Sequence, residues 1–290
     1  MKKIIILIPV YNDWDSLIKL LNQINDNIKN FDHFYVDCIV VNDASTINEP
    51  HITKPSNIQL LKIMNMKKNK GHARCNAFGI RYIILKEKFD YLILMDGDGE
   101  DRPEEIKSFF EQLGLKPDKS IVAKRVKRSE GFIFQLLYQL HKIIAYIFTG
   151  EKINFGNFSC LTKSDVQKIS SKPSLWSSYS GTVKKYLKPL NEIQSTRGLR
   201  YFGPSKMSLF KLILHSFSII SVFKYRVFFR SIIISLFLSL FKISLGVNLF
   251  FLQFLLVLFC LMIFVVSLRE NEEELLNSQQ NLESVKDIAH

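Results

Sequence analysis

Five apolar runs, at 4–10, 35–41, 58–64, 91–95 and 120–123, are separated by segments whose apolar residues recur at helical spacing. Strands that alternate with helices pack as an α/β fold with a mostly parallel, doubly wound sheet, because each parallel neighbour needs a helical crossover. Sheets of that kind bind ligands at the carboxyl ends of their strands. The polar residues placed there are Tyr11, Asn12 and Asp13 after the first run, Asn42, Asp43 and Ser45 after the second, and an acidic cluster after the fourth. No Gly-x-Gly-x-x-Gly follows the first run, which argues against a Rossmann dinucleotide site.

The acidic cluster is Asp96-Gly97-Asp98-Gly99-Glu100-Asp101, directly after Tyr91-Leu92-Ile93-Leu94-Met95. A buried strand ending in alternating acids sets hard oxygen ligands at one edge of a sheet, and the two glycines leave room for a ligand to reach the backbone. That geometry suits a divalent ion holding a diphosphate. A solvated turn is the competing reading of an isolated Asp-x-Asp. A helix-loop-helix calcium site would need a helix where this chain has a strand. With no Cys or His cluster beside the acids, octahedral oxygen coordination favours Mg2+ or Mn2+ over zinc.

The chain has 290 residues, with 39 Lys and Arg against 27 Asp and Glu, a formal charge of +12. Such a balance calls for anionic partners. The basic residues group as Lys67, Lys68 and Lys70 in one loop, Lys124, Arg125, Lys127 and Arg128 after a strand, and Lys206, Lys211, Lys224, Arg226 and Arg230 ahead of an apolar segment. They come without zinc-finger spacing, a basic zipper or an aromatic ribonucleoprotein signature, so no nucleic-acid partner is expected. Cys38, Cys75, Cys160 and Cys260 form no Cys-x-x-Cys pair and read as reduced and structural. The short apolar run behind Met1-Lys2-Lys3 gives way to Pro9 and Tyr11 with no small-residue cleavage site, so it reads as a first strand.

From 227 to 268 the chain is mostly Phe, Leu, Ile and Val, interrupted by Arg230, Lys242 and a break at Ser244-Leu245-Gly246-Val247-Asn248. A membrane span takes about 20 apolar residues, so two helices at 227–245 and 249–268 are expected as a transmembrane hairpin. A single span preceded by a buried helix is the alternative. Lys224, Arg226, Arg230 and Arg269 flank the hairpin and place both of its ends on the cytoplasmic side. The segment 209–226 fits an interfacial amphipathic helix, with a core helix as the alternative. This divides the chain into a cytosolic domain at 1–208, the interfacial helix, the two spans at 227–268 and a polar cytoplasmic tail at 269–290, read as a polar helix or a disordered end.

Taken in order, Pro9-Val10-Tyr11-Asn12-Asp13, Val41-Asn42-Asp43-Ala44-Ser45, Asn69-Lys70-Gly71-His72-Ala73-Arg74 and Asp96-Gly97-Asp98 resemble the motifs of the family 2 glycosyltransferases, which use a nucleotide-sugar and a GT-A type fold. A finer resemblance is to the polyprenyl-phosphate hexose synthases, of which dolichyl-phosphate mannose synthase is the familiar example. It rests on Glu100-Asp101-Arg102-Pro103-Glu104 behind the acidic motif, on a strand ending near Arg125 followed by a long apolar helix at 131–148, and on Arg200-Tyr201-Phe202-Gly203-Pro204-Ser205-Lys206. The resemblance covers roughly residues 1–225.

The resemblance implies that Pro9, Tyr11, Asp13, Asn42 and Asp43 line the nucleoside pocket together with Asp96, Gly97 and Asp98. It implies that Asp96, Asp98 and Glu100 hold Mg2+ or Mn2+. Arg125, Arg200 and Lys206, with Arg128 as a further candidate, would grip donor or acceptor phosphate, and the catalytic set would be Asp98, Arg125, Arg200 and Lys206. The partners implied are a nucleotide-sugar donor, a polyprenyl-phosphate acceptor of undecaprenyl or dolichyl type, and the membrane; a homo-oligomer stays open. The setting is the bacterial inner membrane, with transfer that inverts the anomeric centre. Where relatives have Gly-Asp-Phe-Arg, this chain has Gly156-Asn157-Phe158-Ser159, so a carboxylate base is missing. A phosphate acceptor, already ionised, needs no base. A hydroxyl acceptor on a lipid-linked or surface saccharide would need one from elsewhere, His72 for example. A third reading, of another class, is a non-enzymatic nucleotide-binding membrane module.

Overall fold

A computed structural model describes residues 1–127, 132–204, 208–245 and 248–289. The strands are β1 Lys2–Val10, β2 Phe34–Asn42, β3 Leu61–Met66, β4 Tyr91–Leu94, β5 Ile121–Lys127, β6 Phe155–Thr162, β7 Asn191–Thr196 and β8 Leu282–Ile288. The helices are α1 Trp14–Ile28, α2 His72–Lys86, α3 Ile106–Leu115, α4 Phe132–Thr149, α5 Lys163–Ser170, α6 Tyr179–Tyr186, α7 Leu209–Ser221, α8 Lys224–Leu245, α9 Phe250–Ser267 and α10 Glu272–Leu276. All eight strands join one sheet in the order β7-β5-β6-β4-β1-β2-β3-β8.

The centre of the sheet is parallel because β1 and β2 are apolar on both faces. Ile4, Ile6 and Ile8 point to one side, against Leu17, Leu20, Leu21 and Ile24 of α1 and Phe109 of α3. Ile5 and Leu7 point to the other, against Phe78, Ile80 and Ile83 of α2 and Trp176. Alternate residues of one strand thus feed two cores, which is what a sheet covered on both faces requires. β1 pairs in parallel with β2 and β4, and β2 with β3.

Outside that centre the sheet is mixed: β7 is parallel to β5, so parallel pairings keep a narrow majority among the described residues, four of seven. β6 runs antiparallel to both β4 and β5, and β8 runs antiparallel to β3. The tail after Arg269 is therefore not a free polar end: α10 buries Leu275 in the second core, and β8 covers the edge of β3.

The chain leaves β1 toward β2 and β3 and then crosses back to lay β4 on the other side of β1. The crevice between the carboxyl ends of β1 and β4 is the topological switch point, the place where open α/β sheets bind ligands. Tyr11–Asp13 and the acidic cluster both open into it.

Helices α4, α7, α8 and α9 pack together through Ala145, Phe148, Phe217, Ile220, Val227, Phe259 and Ile263. Their outer sides expose Leu140, Ile143, Ile147, Phe210, Phe229, Leu236, Phe251, Leu258 and Val265, among others. Gln253 Nε2 on α9 donates to Ser239 Oγ (2.8 Å) and the Ser235 carbonyl (3.2 Å) of α8, and Lys224 pairs with Glu270 at 3.0 Å. The two helices therefore lie side by side in opposite directions. Among the described residues, α9 is the helix long and apolar enough to cross a membrane by length and composition. α8 is longer, but Lys224, Arg226 and Arg230 occupy its first turns.

Candidate active site

The turns that follow β1 and β2 are built around backbone in the left-handed region, at Asn12 (φ 51°) and Ala44 (φ 56°). Asn tolerates that conformation because its short side chain hydrogen-bonds locally, and here Asn12 Oδ1 accepts from Thr46 N (2.8 Å) and Ile47 N (3.1 Å). Asn12 thus ties the β1 turn to the β2 turn and sets Asp13 and Asp43 on facing walls. Tyr11, between them, is exposed at the mouth.

Asp43 is buried, and its carboxylate accepts from Lys70 N (2.8 Å) and Gly71 N (2.9 Å). Burial pushes its pKa up, against those two backbone donors. Asn42 donates through Nδ2 to Asn65 Oδ1 (2.8 Å) and accepts from Ser45 N (3.0 Å). Asp43→Asn puts an amide group against one of the two backbone donors. The expected result is a nucleoside diphosphate affinity lower by about tenfold, read by titration calorimetry with Mn2+ present.

Across the crevice the acidic loop lies close under β1. A Cβ on Gly97 would meet the Pro9 carbonyl oxygen at 2.9 Å, and one on Gly99 (φ 86°) would run into the Tyr201 ring. Asp98 accepts from Glu100 N (3.0 Å) through Oδ1 and from Arg200 Nη1 (2.6 Å) through Oδ2, while Arg200 Nη2 reaches Asp13 Oδ2. Burial, then the neighbouring Asp96 and Glu100 carboxylates, hold Asp98 above the usual carboxylate range, with Arg200 pulling the other way. Asp96 Oδ1 accepts from Asn157 Nδ2 (3.2 Å), and His72 Nε2 lies 3.2 Å away. Two amide groups, of Asn157 (2.8 Å) and Asn76 (3.0 Å), face that same His72 nitrogen; they suit the tautomer with its proton on Nδ1, while the Asp96 carboxylate beside them suits a proton on Nε2.

Three side chains of the site have partners that motif spacing does not show. Glu100 stays close enough to Asp98 to act on its charge, and its Oε2 pairs with Arg197 Nη2 as Asp98 pairs with Arg200. Asp101 is buried, accepts from Asp96 N (3.0 Å) and closes the acidic loop on itself. Burial and the nearby Asp96 carboxylate raise its pKa, and Arg125, 3.9 Å away, opposes that shift. Arg125 thus serves as counter-ion beneath the acidic loop, packed against Gly156. Arg128 and Lys206 lie outside the described residues. Arg197 is the functional candidate that motif reading missed; its signal was the Arg-x-x-Arg spacing ahead of Tyr201.

The donor set at Asp96 and Asp98 is hard carboxylate oxygen, which fits a divalent ion of the Mg2+ or Mn2+ type, and the crowding of negative charge around Asp98 is what such a cation relieves. Among the described residues no three His, Cys, Asp or Glu side chains converge on one point, since Arg197 and Arg200 neutralise the acids instead.

Residues 5–177 match the family model for glycosyl transferase family 2. The chain belongs to that family. Among curated proteins, this glycosyltransferase is 29% identical over 113 residues to an uncharacterized protein of Methanocaldococcus jannaschii, a match covering 38% of this chain and 46% of that protein. The chain thus spans about half the length of that relative. Among solved structures, the glycosyltransferase resembles Mycobacterium tuberculosis glucosyl-3-phosphoglycerate synthase in complex with Mn2+, UDP-glucose and phosphoglyceric acid, at 12% identity and TM-score 0.51, covering 78% of this chain and 80% of that one. S. aureus TarS 1–349 in complex with UDP-GlcNAc is 14% identical, with TM-score 0.47 over 85% of this chain and 76% of that one. The likeness to the synthase is one of fold.

Proposed function

We propose that this glycosyltransferase moves a hexose from a nucleoside diphosphate sugar to a polyprenyl phosphate at the cytoplasmic face of a membrane, with inversion at the anomeric carbon. The observation that carries the acceptor class is Asn157. Its amide donates to Asp96 and to His72, so the position offers hydrogen-bond donors and no base. A carboxylate there would instead repel Asp96 at the same distance. A phosphate monoester brings its own ionised oxygen and attacks without losing a proton.

Asn42 and Asp43 face the nucleoside, and Asp13, Asp98 and Arg200 surround the diphosphate. Asp96 and Asp98 would hold the divalent ion, which when bound stabilises the leaving nucleoside diphosphate as a Lewis acid. Arg200, which pairs with Asp13 and Asp98, would hold phosphate oxygens of the donor beside those carboxylates. The exposed apolar sides of α4, α8 and α9 support a membrane seat for the prenyl chain, with α8 and α9 entering the bilayer as a hairpin.

One observation favours a second reading. With its proton on Nδ1, His72 has Nε2 as an acceptor beside Asp96, placed as a base for a saccharide hydroxyl. Membranes holding the protein, incubated with labelled nucleotide-sugars and extracted for lipid, separate the two. An acid-labile, singly glycosylated prenyl phosphate is the expected product; label found only in oligosaccharide would sink the phosphate acceptor.

A further inference from the structure

The segment that returns from α9 to the sheet touches the nucleoside side of the crevice in three separate places. First, a one-way chain of hydrogen bonds crosses the strand ends. Asn65 Nδ2 donates to Ser284 Oγ of β8 (3.1 Å), Asn42 Nδ2 to Asn65 Oδ1 (2.8 Å), Ser45 N to Asn42 Oδ1 (3.0 Å) and Asn12 N to Ser45 Oγ (2.9 Å). The Ser45 N–H can only donate, so it sets which end of the Asn42 amide faces it, and Ser284 Oγ accepts at the far end of the chain, holding Asn65 in the place where it receives Asn42 Nδ2. Second, Lys67 N donates to the Asn281 carbonyl (2.7 Å), and Asn281 Nδ2 donates to the Lys68 carbonyl (3.0 Å). These bonds fasten the loop whose Lys70 and Gly71 N–H groups hold Asp43. Third, Lys286 pairs at 3.0 Å with Glu49, in the loop that runs on from Ser45.

Edge covering alone accounts for the ladder between β8 and β3. It does not account for side-chain bonds that run from β8 and the turn before it to the residues on either side of Asn42 and Asp43. We infer that residues 280–286 are a positioning element of the donor site, with Ser284 holding Asn65 against the amide of Asn42 and Asn281 fixing the loop that presents N–H groups to Asp43. The inference rests on the reading of Asn42 and Asp43 as nucleoside contacts, and it assigns the control of nucleoside affinity to a segment outside the family-matched residues 5–177.

The test uses the full chain in detergent and two probes with Mn2+: whichever of UDP and GDP the parent binds more tightly, and inorganic pyrophosphate, which engages the acidic side of the crevice only. Ser284→Ala and, independently, Asn281→Ala should each weaken nucleoside diphosphate binding about fivefold and leave pyrophosphate binding within twofold of the parent. Ser284→Thr keeps the hydroxyl and should bind as the parent does. Should Ser284→Ala fail to fold, the Asn281→Ala comparison carries the decision. Parent-like nucleoside diphosphate binding in the folded alanine variants overturns the inference, as does an equal loss for both probes, which marks general loosening. Asp43→Asn is the separate control: if it binds nucleoside diphosphate as the parent does, the nucleoside reading itself is at fault.

Discussion

Asp98→Ala should abolish sugar transfer, lowering turnover by about a thousandfold or more, while the protein stays folded and membrane-bound. Such a factor corresponds to about 4 kcal/mol of transition-state stabilisation. Asp98 sits between Asp96 and Glu100, and both of its oxygens are already in use: one holds the loop through Glu100 N and the other accepts from Arg200. Its removal would take away one oxygen ligand of the proposed metal pair and free Arg200 from one of its two carboxylates. Turnover with labelled nucleotide-sugar and the thermal midpoint of the same preparation decide the matter together. Unchanged turnover in a folded variant would refute the metal assignment.

Trp176→Ala should cost roughly 3–5 kcal/mol of unfolding free energy. Trp176 is among the largest fully buried side chains, its indole N–H donates to Glu274 (2.9 Å), and the Arg74 guanidinium lies over its ring at 5.7 Å. The indole therefore joins the second core to α10, and the cavity left behind would open under the segment that carries β8. Urea unfolding in detergent, followed by circular dichroism, gives the number. A loss below about 1 kcal/mol would mean that α10 is not seated on this side chain.

The legible part of the fold was the part with a local cause. β1, β2 and β4 are apolar on both faces, so their runs announce themselves, and the strand-end rule then singles out Asp13, Asp43, Asp96 and Asp98, which follow those strands. β6 was hidden because Gly156, Asn157 and Ser159 interrupt its apolar pattern, and β7, with Asn191, Glu192 and Gln194, reads as polar loop. β8 was hidden for a different reason: it pairs with a strand more than two hundred residues earlier, and nothing local marks Leu282–Ile288 as the partner of Leu61–Met66. The same limit applied within the site. Motif spacing identified the acids but not their partners, so neither Arg197 on Glu100 nor the bond from Asp96 N to Asp101 was legible in it.

The pairing of β8 with β3 puts a parity condition on membrane insertion. Residues on both sides of α8 and α9 are stitched into one sheet, so the chain between them must cross any bilayer an even number of times. A lone crossing by α9 would leave β8 on the wrong side of the membrane from its partner strand. Were α9 to cross a bilayer, a second crossing would have to accompany it, and α8, bonded to it through Gln253 to Ser235 and Ser239, is the neighbour placed to supply one.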